Sequence, residues 1–255
     1  MIDLHSHILP GIDDGAKDME MTLNMLKIAA KDGTKKIVAT PHFYRGYYLN
    51  TYEEVVNLVK QVNDKAKENN LDIEIYPGQE IFINRQVIED YKEGIIKGIR
   101  DTRYMLIELP MDKMPKETFD ILYELRIQGV VPVIAHPERY VYIIEKPHKI
   151  NEFIKEGCLF QINSGSIKGI FGKKIQKTAE ILINHRVCNF IASDAHTTRT
   201  RAPIIKEALS RVNGIDEQLY RDIISNGQKL LDDAHISSEA EKIKEKRSIF
   251  GFLKL

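Results

Sequence analysis

The sequence predicts an α/β fold in which seven strand–helix units close, or nearly close, into a barrel of parallel strands. Three observations carry that reading. Seven short runs rich in apolar and β-branched residues begin 27 to 37 residues apart, the length of one βα unit each time. The stretches between them repeat apolar residues at helical spacing, several ending at glycines. The runs IVAT, MLIEL, VPVIA and NFIAS are apolar without alternation, as expected of parallel strands covered on both faces. An open doubly wound sheet is the competing architecture, but the chain has no glycine-rich dinucleotide fingerprint to support it.

Taken in order, the expected strands are Met1–His7, Lys35–His42, Asp72–Glu80, Tyr104–Pro110, Val131–Pro137, Leu159–Asn163 and Asn189–His196. Met19–Lys31 places Met21, Met25, Ile28 and Ala29 on one helical face, and Gly33 follows as a stop. Tyr52–Glu68 repeats the pattern through Val55, Val56, Val59 and Val62. Glu117–Ile127 ends at Gly129 and Ile150–Lys155 at Gly157, while Ile175–Ile183 presents Ile175, Ala179 and Ile183. Helices after Arg201 complete the barrel, so residues 1–231 form one domain. Residues 232–255 differ. Asp232–Arg247 is charged and poor in apolar residues, and Ile249–Leu255 reads IFGFLKL, which predicts an appended helix or tail with an apolar tip.

The 255 residues carry 37 basic and 37 acidic side chains, a balance that removes the simplest argument for a nucleic-acid or anionic-membrane partner. No stretch approaches the ~18 apolar residues of a membrane span. Asp3, His5 and His7 at the start are unlike a secretion signal, and the expectation is a cytoplasmic protein. Two cysteines, Cys158 and Cys188, are too few for a disulfide framework.

The chemistry lies at the strand ends. His5 and His7 close the first strand, His42 the second, His136 the fifth and His196 the seventh; Glu80 ends the third and Glu108 nears the end of the fourth. Asp194 precedes His196 by two, and Asp13 and Asp14 follow the first strand. In a βα barrel all C-terminal strand ends share one face, where catalytic groups gather. His-x-His on a strand puts both imidazoles on one side, because side chains alternate. A single strand-end histidine is as often structural; this many converging histidines and carboxylates point to a divalent-metal centre. One ion needs about four ligands, so nine candidates, counting one of Asp13 and Asp14, suggest two or three ions bridged by carboxylates.

The segments MIDLHSHILPGIDDG, TPHF, PGQE, LIELP, VIAHPER and IASDAH resemble, in order and spacing, the polymerase and histidinol phosphatase (PHP) superfamily. More narrowly they resemble the bacterial manganese-dependent protein-tyrosine phosphatases of capsule and exopolysaccharide operons, a likeness that includes QINSGSIKGIFGKK and covers nearly the whole chain. The resemblance implies a distorted (β/α)7 barrel. It implies that His5, His7, Glu80 and Asp194 hold one ion, that Glu80 as a bridge with Glu108 and His136 holds a second, and that Asp14, His42 and His196 hold a third. Asp13 is not expected to ligate. Manganese is the implied metal; nitrogen and oxygen donors also accept iron or zinc.

Arg139 in HPER and Arg201 in HTTRTR match the family's phosphate-binding arginines, and a planar guanidinium grips phosphate with two hydrogen bonds. Arg199 is expected to face solvent. A cysteine-phosphatase cradle is excluded by spacing: the residue six positions after Cys158 is Ser164, and after Cys188 it is Asp194. Both thiols read as core. The aromatic stretch Phe43, Tyr44, Tyr47, Tyr48 and Tyr52 overhangs the metal face and is a candidate to stack on a tyrosine ring.

These readings predict a metal-dependent protein-tyrosine phosphatase in which a metal-bridging hydroxide attacks phosphorus while ions and arginines stabilise the phosphoryl charge. A bound water or a metal-site histidine, with His196 the candidate, protonates the leaving group. The resemblance implies the phosphorylated tail of a bacterial tyrosine kinase controlling polysaccharide export as substrate. Competing readings are a small-molecule phosphatase of the histidinol-phosphate type, an amidohydrolase, a nuclease of the same superfamily, and a catalytically inactive kinase-docking module. The oligomeric state is open, a homo-oligomer included.

Overall fold

The computed structural model describes residues 1–245. Its strands are β1 (Ile2–Asp3), β2 (Lys36–Ala39), β3 (His42–Tyr44), β4 (Tyr48–Leu49), β5 (Glu74–Pro77), β6 (Glu80–Phe82), β7 (Tyr104–Glu108), β8 (Val131–Ala135), β9 (Leu159–Asn163) and β10 (Phe190–Ala192). One sheet has the order β1-β2-β5 and the other β10-β9-β8-β7-β6-β3-β4. β2 continues into β3 after a break at Pro41, which has no N–H for the ladder, and β5 continues into β6 past Gly78. Apart from β4, which hairpins back on β3, the nine other pieces therefore occupy seven wall positions, and all their pairings are parallel. The first and seventh positions meet at the rim, where Asp194 N donates to His5 O at 2.9 Å and His7 N to Ala195 O at 2.8 Å. No ladder joins β1 to β10 below that point among the described residues.

Alternation along the strands sorts the residues into layers. On β7, Tyr104 and Leu106 pack inside with Val133 of β8 and Leu159 of β9, while Met105 and Ile107 face the surrounding helices. The interior is thus sealed by apolar side chains below and left to polar ones above. The helix Tyr52–Glu68 starts at a reciprocal capping box between Thr51 and Glu54. The helix Met19–Asp32 starts at Asp18 and stops at Gly33, whose φ of 100° suits a residue without Cβ.

The structure corrects the expected strands at their ends. Met1–His7 is regular only over Ile2–Asp3, and Asn189–His196 only over Phe190–Ala192. Val131–Pro137 stops at Ala135, and at the last two of these exits the reason lies in the residues themselves: His136 (φ 33°) and Asp194 (φ 51°) take left-handed backbone conformations that leave the ladder. Helices Val87–Lys92, Val141–Glu145 and Ser164–Lys168 are additions that sequence periodicity, too short there, did not reveal.

Beyond Leu231 the described chain carries no helix. It runs as a strap: Arg103 forks onto Asp233, Tyr104 Oη donates to Ala234 O at 2.6 Å, and Glu241 N donates to His185 O at 2.7 Å. Asn151 makes both of its amide bonds, each 2.9 Å, to the backbone of Ile243. Ile236 and Ile243 are buried. Residues 232–245 therefore pack against the barrel rather than leaving it. The expected apolar tip, Ile249–Leu255, lies outside the described residues.

Candidate metal centre

The loop after β1 is pressed against His7, with Ala16 N donating to His7 O at 3.0 Å. A Cβ at Gly15 would sit 2.1 Å from that carbonyl oxygen, so only glycine lets the IDDG turn lie there. The turn presents Asp14 to the mouth and Asp13 to the back of His7. His42 opens β3, Glu80 opens β6, Glu108 ends β7, and His136 and Asp194 stand at the left-handed exits of β8 and β10.

Glu80 is the hub. Its Oε1 lies 3.3 Å from His5 Nε2 and 3.0 Å from His136 Nε2, and its Oε2 lies 3.3 Å from His7 Nε2 and 3.0 Å from His42 Nδ1. His5 Nε2 and His7 Nε2 are 3.2 Å apart. Glu108 reaches His136 at 3.6 Å and His42 at 3.8 Å. Asp14 Oδ1 lies 3.3 Å from His196 Nε2 and 3.5 Å from His42 Nε2. Asp194 Oδ1 lies 3.5 Å from His5 Nε2 and 3.6 Å from His7 Nε2.

All nine expected ligands therefore face one mouth. Among the described residues, three groups bring their donor atoms close enough to share an ion: His5, His7 and Glu80; His42, Glu80 and Glu108; and His7, Asp14, His42 and His196. These overlap the expected sets without copying them: His7 and His42 fall in two groups, and His136 and Asp194 stand beside the groups rather than in them. Asp13 is turned elsewhere. Its Oδ2 lies 2.7 Å from His7 Nδ1 and accepts from His42 N, and its Oδ1 accepts from Gly15 N. That is the place of a carboxylate that orients a histidine.

The electrostatics follow from packing so many charges together. Burial alone would raise the Glu80 carboxyl, but His5, His42 and His136 hold it well below the usual carboxylate range. Burial, then the negative charge of Glu80, pushes Glu108 up to about 8. Burial disfavours the His7 cation, yet Asp13 and Glu80 outweigh it and push His7 up to about 9. Burial and the nearby Arg139 bring His136 down to about 4 in spite of Glu80.

The donors fit a divalent ion. They are imidazole nitrogens and carboxylate oxygens, the set that suits manganese, iron or zinc. His42 Nδ1 is buried and 3.0 Å from Glu80 Oε2, yet it makes no hydrogen bond among the described residues; His136 Nδ1 is likewise buried and unpaired. Buried polar atoms without partners are costly, and an ion between such donors removes that cost.

Arg139 Nη1 lies 2.9 Å from Asp194 Oδ2 with its guanidinium 5.0 Å over the Phe171 ring, and Arg201 Nη2 lies 2.7 Å from Asp194 Oδ1. The Arg201 Nε is buried without a partner among the described residues. Arg199 is exposed, as expected. Cys158 and Cys188 are buried and unbridged, and burial pushes both thiols up. The aromatic stretch divides: Phe43 and Tyr52 are buried, while Tyr48 stacks on His42 at 5.8 Å and Tyr44 lies between Phe82 at 4.0 Å and Tyr47 at 4.5 Å. Sequence reasoning missed the buried Gln161 and Asn163 of β9 behind the site. Their signal was two amides at alternate positions of an apolar strand.

Fold and site together define a metal-dependent enzyme of the barrel type, with its donors gathered at one mouth of the barrel. Residues 1–232 match the capsular polysaccharide synthesis CpsB/CapC family, and the chain belongs to it. Tyrosine-protein phosphatase YwqE of Bacillus subtilis is 36% identical over 253 residues, covering 99% of this chain and 100% of that protein. Tyrosine-protein phosphatase CpsB of Streptococcus agalactiae is 31% identical over 248 residues, covering 92% of this chain and all of that one. A chain from the crystal structures of YwqE of Bacillus subtilis and CpsB of Streptococcus pneumoniae, metal-dependent tyrosine phosphatases, is 35% identical. It superposes with a TM-score of 0.92, covering 96% of this chain and 100% of that one. Among the described residues no helix is long and apolar enough to cross a membrane.

Proposed function

We propose that this chain is a metal-dependent protein-tyrosine phosphatase, and that His5, His7, Asp14, His42, Glu80, Glu108, His136, Asp194 and His196 hold two or three Mn²⁺ ions. The observation that carries the reading is the convergence of these nine side chains, with Arg139 and Arg201 beside them, on one barrel mouth. Whole-length relatives named as tyrosine phosphatases support it. Bound ions supply Lewis acidity and an activated water at neutral pH.

The chain's own residues do the rest. Arg139 and Arg201 take the phosphoryl oxygens and neutralise their growing charge. Both already reach into the mouth on opposite oxygens of Asp194. Phe171 under Arg139 limits where that guanidinium points. Tyr44, Tyr47 and Phe82 form an aromatic lip for the substrate ring. A phenolate leaving group, with a pKa near ~10, needs little acid help, and a water beside His196 at the rim supplies what is needed.

The substrate is the tyrosine-phosphorylated tail of a cytoplasmic kinase domain in a polysaccharide export system, and the enzyme works in the cytoplasm. The test is hydrolysis of such a phosphorylated tail, and of histidinol phosphate, after chelation and again after adding Mn²⁺. Manganese-restored release of phosphate from the tail, with histidinol phosphate at least ~100-fold slower, is the expected result. Equal or faster histidinol phosphate turnover transfers the chain to the small-molecule class.

A further inference from the structure

β9 stands in the barrel wall between two ligand-bearing strands, yet its sequence LFQIN has no histidine, cysteine or carboxylate. In their place it buries two amides, Gln161 and Asn163, 1% and 0% exposed, at alternate positions and hence on the same inner face. Asn163 Nδ2 lies 2.6 Å from Asp194 Oδ2, Gln161 Nε2 lies 2.8 Å from Asn163 Oδ1, and His5 Nδ1 lies 2.9 Å from Gln161 Oε1. Asn163 N donates to Glu138 Oε1 at 2.9 Å, which pins the backbone of the pair.

We infer that Gln161 and Asn163 are positioning residues, a one-way relay of hydrogen bonds from Asp194 that dictates which nitrogen of His5 is free to bind metal. The direction follows from valence. Asp194 is ionised between the guanidiniums of Arg139 and Arg201, so it only accepts. Asn163 must therefore turn its NH₂ to Asp194 and its oxygen to Gln161. Gln161 must then donate to that oxygen and turn its own oxygen to His5. His5 Nδ1 is left one choice: it carries the proton and donates. Its Nε2, 3.3 Å from Glu80 Oε1 and 3.2 Å from His7 Nε2, is bare and aimed into the mouth. One carboxylate thus sets the tautomer of a histidine it does not hydrogen-bond, and two residues proposed to share an ion are oriented by one chain of bonds. Partners of this kind commonly change metal affinity ~10- to 100-fold.

The metal half of this inference rests on the proposed ligand set; the tautomer half does not. The experiment uses the full chain loaded with Zn²⁺, a diamagnetic probe, with two readouts: zinc affinity by chelator competition and the His5 Nδ1–H signal in ¹H–¹⁵N spectra. Gln161→Met should weaken zinc binding about 10- to 100-fold and lose the slowly exchanging Nδ1–H, and Gln161→Glu, which keeps the acceptor, should restore that proton. The two substitutions at Asn163 separate relay from local damage. Asn163→Asp still accepts from Gln161 and should keep the His5 proton, whereas Asn163→Leu releases Gln161 to rotate and should lose it, although neither side chain touches His5. Melting of the zinc-loaded variants checks that each is folded. The same His5 signal in Asn163→Asp and Asn163→Leu overturns the relay. Unchanged zinc affinity in His5→Ala instead overturns the ligand set, and the metal half with it.

Discussion

The hydroxyl of Tyr140 joins the two strands that carry Glu108 and His136, and Tyr140→Phe removes it while keeping the ring. Tyr140 is fully buried. Its Oη accepts from Leu109 N at 3.0 Å and donates to Ala135 O at 2.8 Å. Leu109 follows Glu108 and Ala135 precedes His136, so this one atom fixes the backbone beside two proposed ligands. In the phenylalanine variant the Leu109 N–H is left buried without its acceptor, which costs ~1–3 kcal/mol, and Ala135 O loses a donor worth ~0.5–1.5 kcal/mol. The total is about 1.5–4.5 kcal/mol. The stacking of the ring on Tyr142 and its edge contact with His136 survive, so they do not enter. The assay is urea unfolding of both proteins in excess chelator, which removes any contribution from bound ions. A lower midpoint with an unchanged slope is expected, together with weaker Mn²⁺ binding in the chelator-free protein. A loss below ~0.5 kcal/mol would refute the reasoning, because it would mean that water or a backbone shift satisfies both groups.

Other outcomes follow from the same structure. Arg139→Ala and Arg201→Ala should each lose ~2–4 kcal/mol of transition-state stabilisation, roughly 30- to 1,000-fold in turnover, with metal content by elemental analysis unchanged; Arg199→Ala should match the parent. A parallel fall in bound metal would make the two arginines structural. Cys158→Ser and Cys188→Ser should keep activity, and neither native thiol should react with a water-soluble disulfide reagent until the protein unfolds, since both are buried and pushed up. Fast labelling of a folded, active protein would contradict this. Ending the chain after residue 233 should cost about 3 kcal/mol or more by removing buried Ile236 and Ile243. Equal melting of the shorter chain would return the strap to the status of a free tail.

Much of the barrel was legible because its signals are periodic. Leu159–Asn163, Tyr52–Glu68 and Ile150–Lys155 have the expected bounds, each fixed by an apolar repeat and a stop or cap. The metal-type residues were legible because strand ends in such a barrel share one face whatever their distance in sequence. What stayed hidden was set by tertiary contact. Nothing local marks the left-handed turns at His136 and Asp194, which let the chain leave the ladder. The charged strap from residue 232 looked detachable because its hold comes from backbone bonds to Tyr104, His185 and Asn151, far away in sequence. Asp13 and Asp14 differ only in which way a glycine turn points them. Resemblance, not spacing, ranked the two.

The seam between the first and last wall positions has its own consequence. His5 and Asp194 are roughly 190 residues apart, so hooping the barrel there carries a loop-closure cost that only late contacts repay. Below the rim the staves part around an apolar cavity of about 230 Å³ beside Ile2, Leu4, Phe190 and Gly227. At the rim the hoop is held by Asp194 N on His5 O and His7 N on Ala195 O, with Ser193 N on Asp3 Oδ1 below, so the backbone of three proposed ligands takes part in it. Capturing a ligand at the rim and keeping the hoop shut are therefore one equilibrium. An ion at 100 times its Kd adds about 2.7 kcal/mol to the resistance of the whole fold to opening. On the proposed ligand set, metal supply should act on how long the protein lasts as well as on what it can do.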